Sequence, residues 1–135
     1  MNRATLDNKI ESIVHCLNRI ESQNVHTQND LIDNYDKQDI VILNLERAIQ
    51  LCVDIASHIL TDHAELSSVT MADTFLNLSK LDIIPQDLAI RLSKAVGFRN
   101  FAVHQYKEID YAVVYNILQY CLTDIRQFIS LVSKT

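Results

Sequence analysis

The stretch that decides the fold lies at residues 41–59 and reads VILNLERAIQLCVDIASHI. Its apolar residues recur three and four positions apart, which is the period of one face of an α-helix. The stripe consists of Val41, Leu45, Ala48, Cys52, Ile55 and Ile59. Because further apolar residues widen this stripe, we expect a long helix over about residues 37–62 that is central, or that faces both the core and a partner chain.

The same spacing predicts helices before and after this stretch. We expect a first helix from about Ala4 to Ser22, followed by a polar loop at residues 23–29 that extends toward residue 36. A short helix should follow the long one, starting at Thr70 and ending near residue 81. Thr70 with Asp73 three positions later has the pattern of a capping box, which satisfies the first amides of a helix.

Two more helices complete the predicted fold. Pro85 suits the first turn of a fourth helix, where its missing N–H costs nothing. Asp110 is a candidate N-cap for a fifth helix, whose apolar residues form a heptad seam of Tyr111, Val114, Leu118, Cys121, Ile125, Phe128 and Val132. We therefore predict that residues 1–135 form a single all-α domain, an up-and-down bundle of four or five helices.

The composition of the 135 residues agrees with a helical protein of the cytoplasm. One glycine and one proline leave few turns for a sheet of many strands. Three widely separated cysteines, Cys16, Cys52 and Cys121, fit buried thiols better than a disulfide framework or a zinc site. The N-terminus lacks a signal-like apolar core, and no apolar run approaches the ~20 residues that span a bilayer. We expect a cytoplasmic protein with no membrane partner.

The charge of the chain is acidic overall but unevenly distributed. The formal net charge of −5 counts against tight, nonspecific binding of nucleic acid, and we expect no DNA partner. Between Pro85 and Lys107 the local sum is +3, because four cations stand against Asp87 alone: Arg91, Lys94, Arg99 and Lys107. A positive patch on an acidic body suits a local phosphate site.

The polar chemistry is concentrated at residues 97–106, GFRNFAVHQY. Arg99 is a permanent cation suited to phosphate, and His104 can exchange a proton near neutral pH. These groups suffice to cleave RNA without a metal, since the reaction needs a base for the 2′-hydroxyl, an acid for the leaving 5′-oxygen and a cation for the charge that develops on phosphate. Asn100 can orient sugar or phosphate, and Tyr106 can stack on a base. We expect neither a metal nor a cofactor.

The spacing of the motif raises a geometric problem. An α-helix turns about 100° per residue, so Tyr106 shares a face with Arg99 if the helix persists, whereas His104 lies about 140° around the axis. Either the helix kinks or ends inside the motif, with Gly97 weakening it just upstream, or two copies of the motif face each other across a dimer axis. We favour the homodimer, in which two His104 side chains can divide the roles of base and acid.

Spacing alone leaves other interpretations open. Arg99 can be a surface ion-pair partner, His104 a half-buried helix residue and Tyr106 a core aromatic. Arg47, on the long helix, can pair with a nearby acid or reach the cleft. A histidine pair at residues 58 and 63 is five positions apart and diverges on a helix, which does not suit zinc.

Residues 96–106 resemble the core signature of the HEPN toxins of HEPN/MNT (minimal nucleotidyltransferase) toxin–antitoxin systems, also called HepT-like. That signature is an arginine, a polar residue, three mainly apolar residues, a histidine, any residue and a tyrosine. Arg99, Asn100, His104 and Tyr106 each match. Residues 107–110 and the long helix at residues 45–59 are also similar, so the resemblance covers nearly the whole chain.

The resemblance implies a homodimeric, metal-independent endoribonuclease toxin that cleaves tRNA or mRNA. Arg99 and His104 would be catalytic, with Asn100 and Tyr106 in support. The resemblance also implies a cognate MNT nucleotidyltransferase antitoxin that transfers AMP to Tyr106, which brings a phosphate charge and a bulky nucleoside into the cleft. The alternative is a non-catalytic helical module that binds nucleotide or serves as a scaffold for a nucleotidyltransferase.

Overall fold

The computed structural model describes residues 2–66, 70–104 and 109–134, with the backbone alone at residues 103 and 104. In these ranges the chain contains no β-strand. The α-helices are α1 (Arg3–Glu21), α2 (Gln28–Ile32), α3 (Tyr35–Ile59), α4 (Met71–Lys80), α5 (Gln86–His104) and α6 (Tyr111–Val132). Two 3-10 turns follow α3, at Leu60–Asp62 and Ala64–Leu66. Across the described ranges, no helix is both long and apolar enough to cross a membrane.

The predicted all-α class is confirmed, and α3 is the central helix. It packs against each of the other five α-helices. Its apolar stripe belongs to the core, with Val41, Leu45 and Ile55 each 0% exposed. The seam of α6 also faces inward, and the ring of Phe128 meets Phe75 of α4 edge to face, with 5.6 Å between the ring centroids. The two patterns read from the sequence thus pack into one hydrophobic core.

The short helix α2 occupies part of the segment that we expected to be a loop. Thr27 Oγ1 accepts a hydrogen bond from the amide of Asp30 at 3.2 Å, and Asp30 Oδ2 accepts one from the amide of Thr27 at 3.0 Å. Leu31 is fully buried, and the Gln38 side-chain amide donates to its carbonyl at 2.9 Å. The expectation of a loop was wrong for residues 28–32, because a capping box and one buried leucine hold a short helix on the core.

A charged contact joins α5 to α6. Arg91 Nε donates to both carboxylate oxygens of Asp124, at 3.0 and 3.1 Å, and Arg91 Nη1 donates to Asp87 at 3.2 Å. Asp124 is only 6% exposed. A buried carboxylate requires a partner, so Arg91 serves the packing of the helices.

Candidate active site

Arg99 lies on the face of α5 that packs into the protein. Its neighbours three and four positions away, Ala95, Val96 and Ala102, are each 2% exposed. Residues at these spacings share one face of a helix. A half-buried guanidinium therefore stands at a position where the pattern of α5 would place an apolar side chain.

The hydrogen bonds of Arg99 leave part of its guanidinium unused. Nη1 donates to Asn100 Oδ1 at 3.2 Å. Nε is buried and finds no hydrogen-bond partner in the described part of the chain. A buried donor on a charged group is costly to leave unpaired, so packing alone does not account for an arginine at this position.

The charge of Arg99 acts on the carboxyl group of Glu46 on α3. Burial raises the pKa of Glu46, and the charge of the Arg99 guanidinium opposes that rise. The two side chains are therefore close enough to feel each other's charge. Yet among residues 2–66, 70–104 and 109–134 no carboxylate lies within salt-bridge distance of Arg99. Arg126 shows the contrast, since it donates to Glu21 at 2.8 Å.

The helix is continuous between Arg99 and His104. It passes through Gly97, whose φ is not positive, and is described as far as His104. A helix end therefore does not bring these two positions onto one face, and position 104 remains about 140° from Arg99 around the axis. The side chain of His104 and the whole of Tyr106 lie outside the described residues.

The positive patch is smaller than the sequence count predicted. Arg91 is neutralised by Asp124 and Asp87, so it is not available to phosphate. Lys94 is exposed, and Lys107 lies outside the described residues. Arg99 is thus the described cation of this patch that combines partial burial with unused donors.

The sequence pattern of the family described as Ribonuclease HepT-like matches residues 13–132. This chain belongs to the HepT-like family. It is 37% identical over 125 residues to the mRNA nuclease HepT of Shewanella oneidensis, with 93% of each chain covered. It is 26% identical over 117 residues to the tRNA nuclease HepT of Aphanizomenon flos-aquae, covering 87% of this chain and 80% of that protein.

The solved structures agree with the family assignment. A structure of the tri-AMPylated Shewanella oneidensis HEPN toxin in complex with MNT antitoxin matches the HepT-like chain with a TM-score of 0.87, at 35% identity and with 100% of both chains covered. The resemblance drawn from residues 96–106 is therefore confirmed at the level of family, fold and nuclease class.

A cavity of about 400 Å³ lies between α1 and α3 of the HepT-like chain, and Arg47 is part of its wall. The other lining residues are Ser12, His15, Cys16, Gln50, Leu51 and Asp54. Gln50 donates to Asp54 at 2.9 Å, while its own carbonyl oxygen is buried with no described partner. No group of three His, Cys, Asp or Glu side chains within the described ranges is placed to hold a metal ion.

Two acidic residues of α3 whose charges act on other helices were not singled out by sequence reasoning. One is Glu46. The other is Asp39, seven positions earlier on α3, whose charge adds to burial in raising the pKa of Tyr111 at the start of α6. Residues seven apart share a helix face, which is a signal the sequence did contain. Nothing in the spacing, however, connects that face to Arg99.

Proposed function

We propose that this chain is the toxin of a HEPN/MNT toxin–antitoxin pair, a cytoplasmic, metal-independent endoribonuclease that acts as a homodimer on tRNA or mRNA. In this proposal residues 1–135 form one HEPN domain, Arg99 and His104 are catalytic, and Asn100 and Tyr106 support them. The observation that carries the proposal is the half-buried guanidinium of Arg99, with donors unused, five positions before a histidine in a chain of the HepT-like family.

The proposed mechanism assigns one task to each group. His104 removes the 2′-hydroxyl proton, and the 2′-oxygen forms a bond to phosphorus as the bond to the 5′-oxygen breaks. A second His104, from the other subunit, gives its proton to that 5′-oxygen. Arg99 donates to the nonbridging oxygens, where negative charge develops. The products are a 2′,3′-cyclic phosphate and a free 5′-hydroxyl.

Cleavage of a labelled RNA in the presence of EDTA tests the activity. Wild-type protein should release products that end in 2′,3′-cyclic phosphate, and both Arg99→Ala and His104→Ala should abolish them. Arg126→Ala, which removes an arginine from an exposed ion pair, is the matched control and should cleave normally. Undiminished cleavage by both motif variants would refute the assignment. Nucleotide binding without RNA turnover would favour the non-catalytic alternative.

The dimer cleft is tested by mixing wild-type protein with the inactive His104→Ala variant. If each cleavage uses the His104 of both subunits, a dimer of one wild-type and one His104→Ala subunit lacks one of the two imidazoles and does not cleave. Equal co-refolded mixtures should then show about a quarter of the activity of the same total amount of wild-type protein, because about half of the dimers are mixed and about a quarter are wholly wild type. Activity of about half, in proportion to the wild-type subunits, would place the site within one protomer.

The antitoxin enters the proposal through Tyr106. The related toxin of Shewanella oneidensis is tri-AMPylated in its complex with MNT antitoxin. We expect incubation with the cognate nucleotidyltransferase and ATP to raise the mass of this chain by whole AMP units and to stop cleavage, because the added phosphates occupy the Arg99 site. Tyr106→Phe should keep its mass. A mass gain in that variant would move the modification to another residue.

A further inference from the structure

The cavity of about 400 Å³ between α1 and α3 is bounded on one side by a single face of α3, which we call the α3 wall. Arg47, Gln50, Leu51 and Asp54 form this wall, at spacings of three, four and seven positions that share a helix face. None of the four belongs to the motif at residues 96–106. Cavities of roughly this size with a few convergent polar groups are common binding places for small molecules.

Gln50 presents an unused acceptor in the α3 wall. Its Nε2 donates to Asp54 Oδ1 at 2.9 Å, and its Oε1 is buried without a hydrogen-bond partner among the residues that the structure describes. Because a carboxylate only accepts hydrogen bonds, Asp54 determines which end of the Gln50 amide turns toward it and which end stays unused. A buried acceptor without a donor is unfavourable, and a ligand with an N–H group would remove that cost.

Arg47 supplies an unused cation in the same wall. No ion pair within the described ranges includes its guanidinium. Ser12 and His15 are exposed on α1 and line the cavity from the other side, and both side chains can donate hydrogen bonds. Three donor side chains around one cavity suit a phosphate group, which accepts several hydrogen bonds and pairs well with arginine.

The cation and the acceptors of the α3 wall are separated, and apolar side chains lie between them. Seven residues of an α-helix rise roughly 10 Å, which is the spacing of Arg47 and Asp54 along the axis. Leu51 lies between them on α3, and Cys16 of α1, which is 4% exposed, adds a second apolar contact. An α-amino acid is too short for this arrangement, because it carries its carboxylate and its ammonium on one carbon. A nucleotide carries a phosphate at one end, a base at the other and a flat ring that can cover apolar side chains.

We propose that this cavity binds a nucleotide whose base carries an exocyclic amino group, with the phosphate on Arg47, Ser12 and His15 and the amino group on Gln50 Oε1. Cytidine monophosphate (CMP) and AMP have such a group, whereas uridine monophosphate (UMP) has a carbonyl oxygen where CMP has the amino group. A free nucleotide and a nucleotide within an RNA strand present the same chemistry. The inference does not depend on which residues cleave RNA.

Isothermal titration calorimetry with CMP, AMP, UMP and cytidine measures the affinity. CMP and AMP should bind once per chain. UMP should bind about 10-fold more weakly than CMP because its carbonyl meets the Gln50 acceptor, and cytidine about 10-fold more weakly because it lacks the phosphate. Gln50→Met removes the acceptor and should abolish the preference for CMP over UMP, which a merely structural role of Gln50 would leave unchanged.

The arginine is tested in the same way. Arg47→Ala should weaken CMP binding by about 10-fold or more, and Arg47→Lys, which keeps the charge, should recover part of the loss. Arg126→Ala removes an arginine that lies outside the cavity and should match wild type. Far-UV circular dichroism of each variant checks that it is folded. If Arg47→Ala does not fold, the comparison of CMP with UMP in wild type and in Gln50→Met still decides.

Alkylation by iodoacetamide locates the ligand without any substitution. Cys16 lines the cavity, so bound CMP should slow its labelling, with half of the effect at the Kd measured by calorimetry. An RNA with 2′-O-methyl groups, which is not cleaved, is the second probe. Protection of Cys16 by this RNA that is weakened in Arg47→Ala identifies an RNA strand as the source of the nucleotide, whereas protection by CMP alone identifies a free nucleotide.

Three results would overturn the inference. The first is that millimolar CMP neither binds nor protects Cys16. The second is that wild-type protein binds CMP and UMP with equal affinity, because the Gln50 acceptor then does not read the amino group. The third is that CMP binding is lost in Arg99→Ala and kept in Arg47→Ala, which would place the nucleotide at the proposed active site instead of this cavity.

Discussion

Replacing Arg99 by methionine should stabilise the fold while it abolishes cleavage. Methionine fills the same position on the stripe of Ala95, Val96 and Ala102 without burying a charge. Replacing both charges of a fully buried ion pair by apolar residues gains about 1–4 kcal/mol, whereas here one charge is removed and Glu46 keeps its own. Arg99 is only half-buried, so we expect the low end, about 1 kcal/mol at most, which for a domain of this size corresponds to a rise of about 4 °C in melting temperature.

The gain should depend on pH through Glu46. Without Arg99 nothing opposes burial, so the pKa of Glu46 rises further above its ordinary value. A group whose pKa is raised in the folded state contributes stability below its unfolded pKa and loses that contribution as pH rises through the folded pKa. The free energy of unfolding of Arg99→Met should therefore exceed that of wild type by more at pH 4 than at pH 7. Urea unfolding followed by circular dichroism at both values, at one protein concentration, measures the difference.

Arg126→Met serves as the control for this experiment. It removes an exposed cation from its pair with Glu21, so its stability should fall slightly, by about 0–1 kcal/mol. If the free energy of unfolding of Arg99→Met is lower than that of wild type by more than about 1 kcal/mol at both pH values, Arg99 stabilises the core. That result would refute the claim that its charge is unfavourable at this position.

Two further predictions concern single positions. Gly97→Ala should raise the free energy of unfolding by about 0.5–1 kcal/mol in the same urea assay, because Gly97 is in a helix interior and nothing lies within 4 Å of the added Cβ; a loss would mean that another surface covers this position. Burial raises the pKa of Cys121 to about 12, so iodoacetamide at pH 8 should leave it unmodified in the folded protein and label it in urea. Mass spectrometry of the labelled peptides compares the folded and the urea-unfolded protein. Rapid labelling of Cys121 in the folded protein would contradict its burial. Cys16, which lines a cavity beside Arg47, should react first.

Local patterns were enough to predict most of the fold. The period of three and four placed α1, α3, α5 and α6, and the N-caps predicted at Thr70 and Asp110 are both present. The same capping box that located α4 also starts α2, at Thr27 and Asp30, but its apolar run is too short to give a period. The helix is held on the core by one buried residue, Leu31, and the sequence alone does not show that a single leucine is buried.

The arrangement of the site depended on contacts between distant residues. The inward direction of Arg99 could be predicted, because Arg99 continues the stripe of Leu88, Leu92, Ala95 and Val96. The neutralisation of Arg91 by Asp124 could not be predicted, because it links residues 33 positions apart on different helices. The charge of Glu46 near Arg99 likewise depends on how α3 packs against α5. Such pairings are set by the packing of helices and leave no mark in local spacing.

The continuity of α5 constrains where the rest of the site must come from. Arg99 belongs to the inward sector of the helix, whereas position 104 falls on the sector of Ile90, Gly97 and Phe101. That sector is apolar and open, with Ile90 42% and Phe101 45% exposed. Exposed apolar residues on one helix face favour a covering surface. In the homodimer that we propose, a second copy of the chain would supply such a surface and would bring an opposite motif to each Arg99, which one protomer with an uninterrupted helix does not.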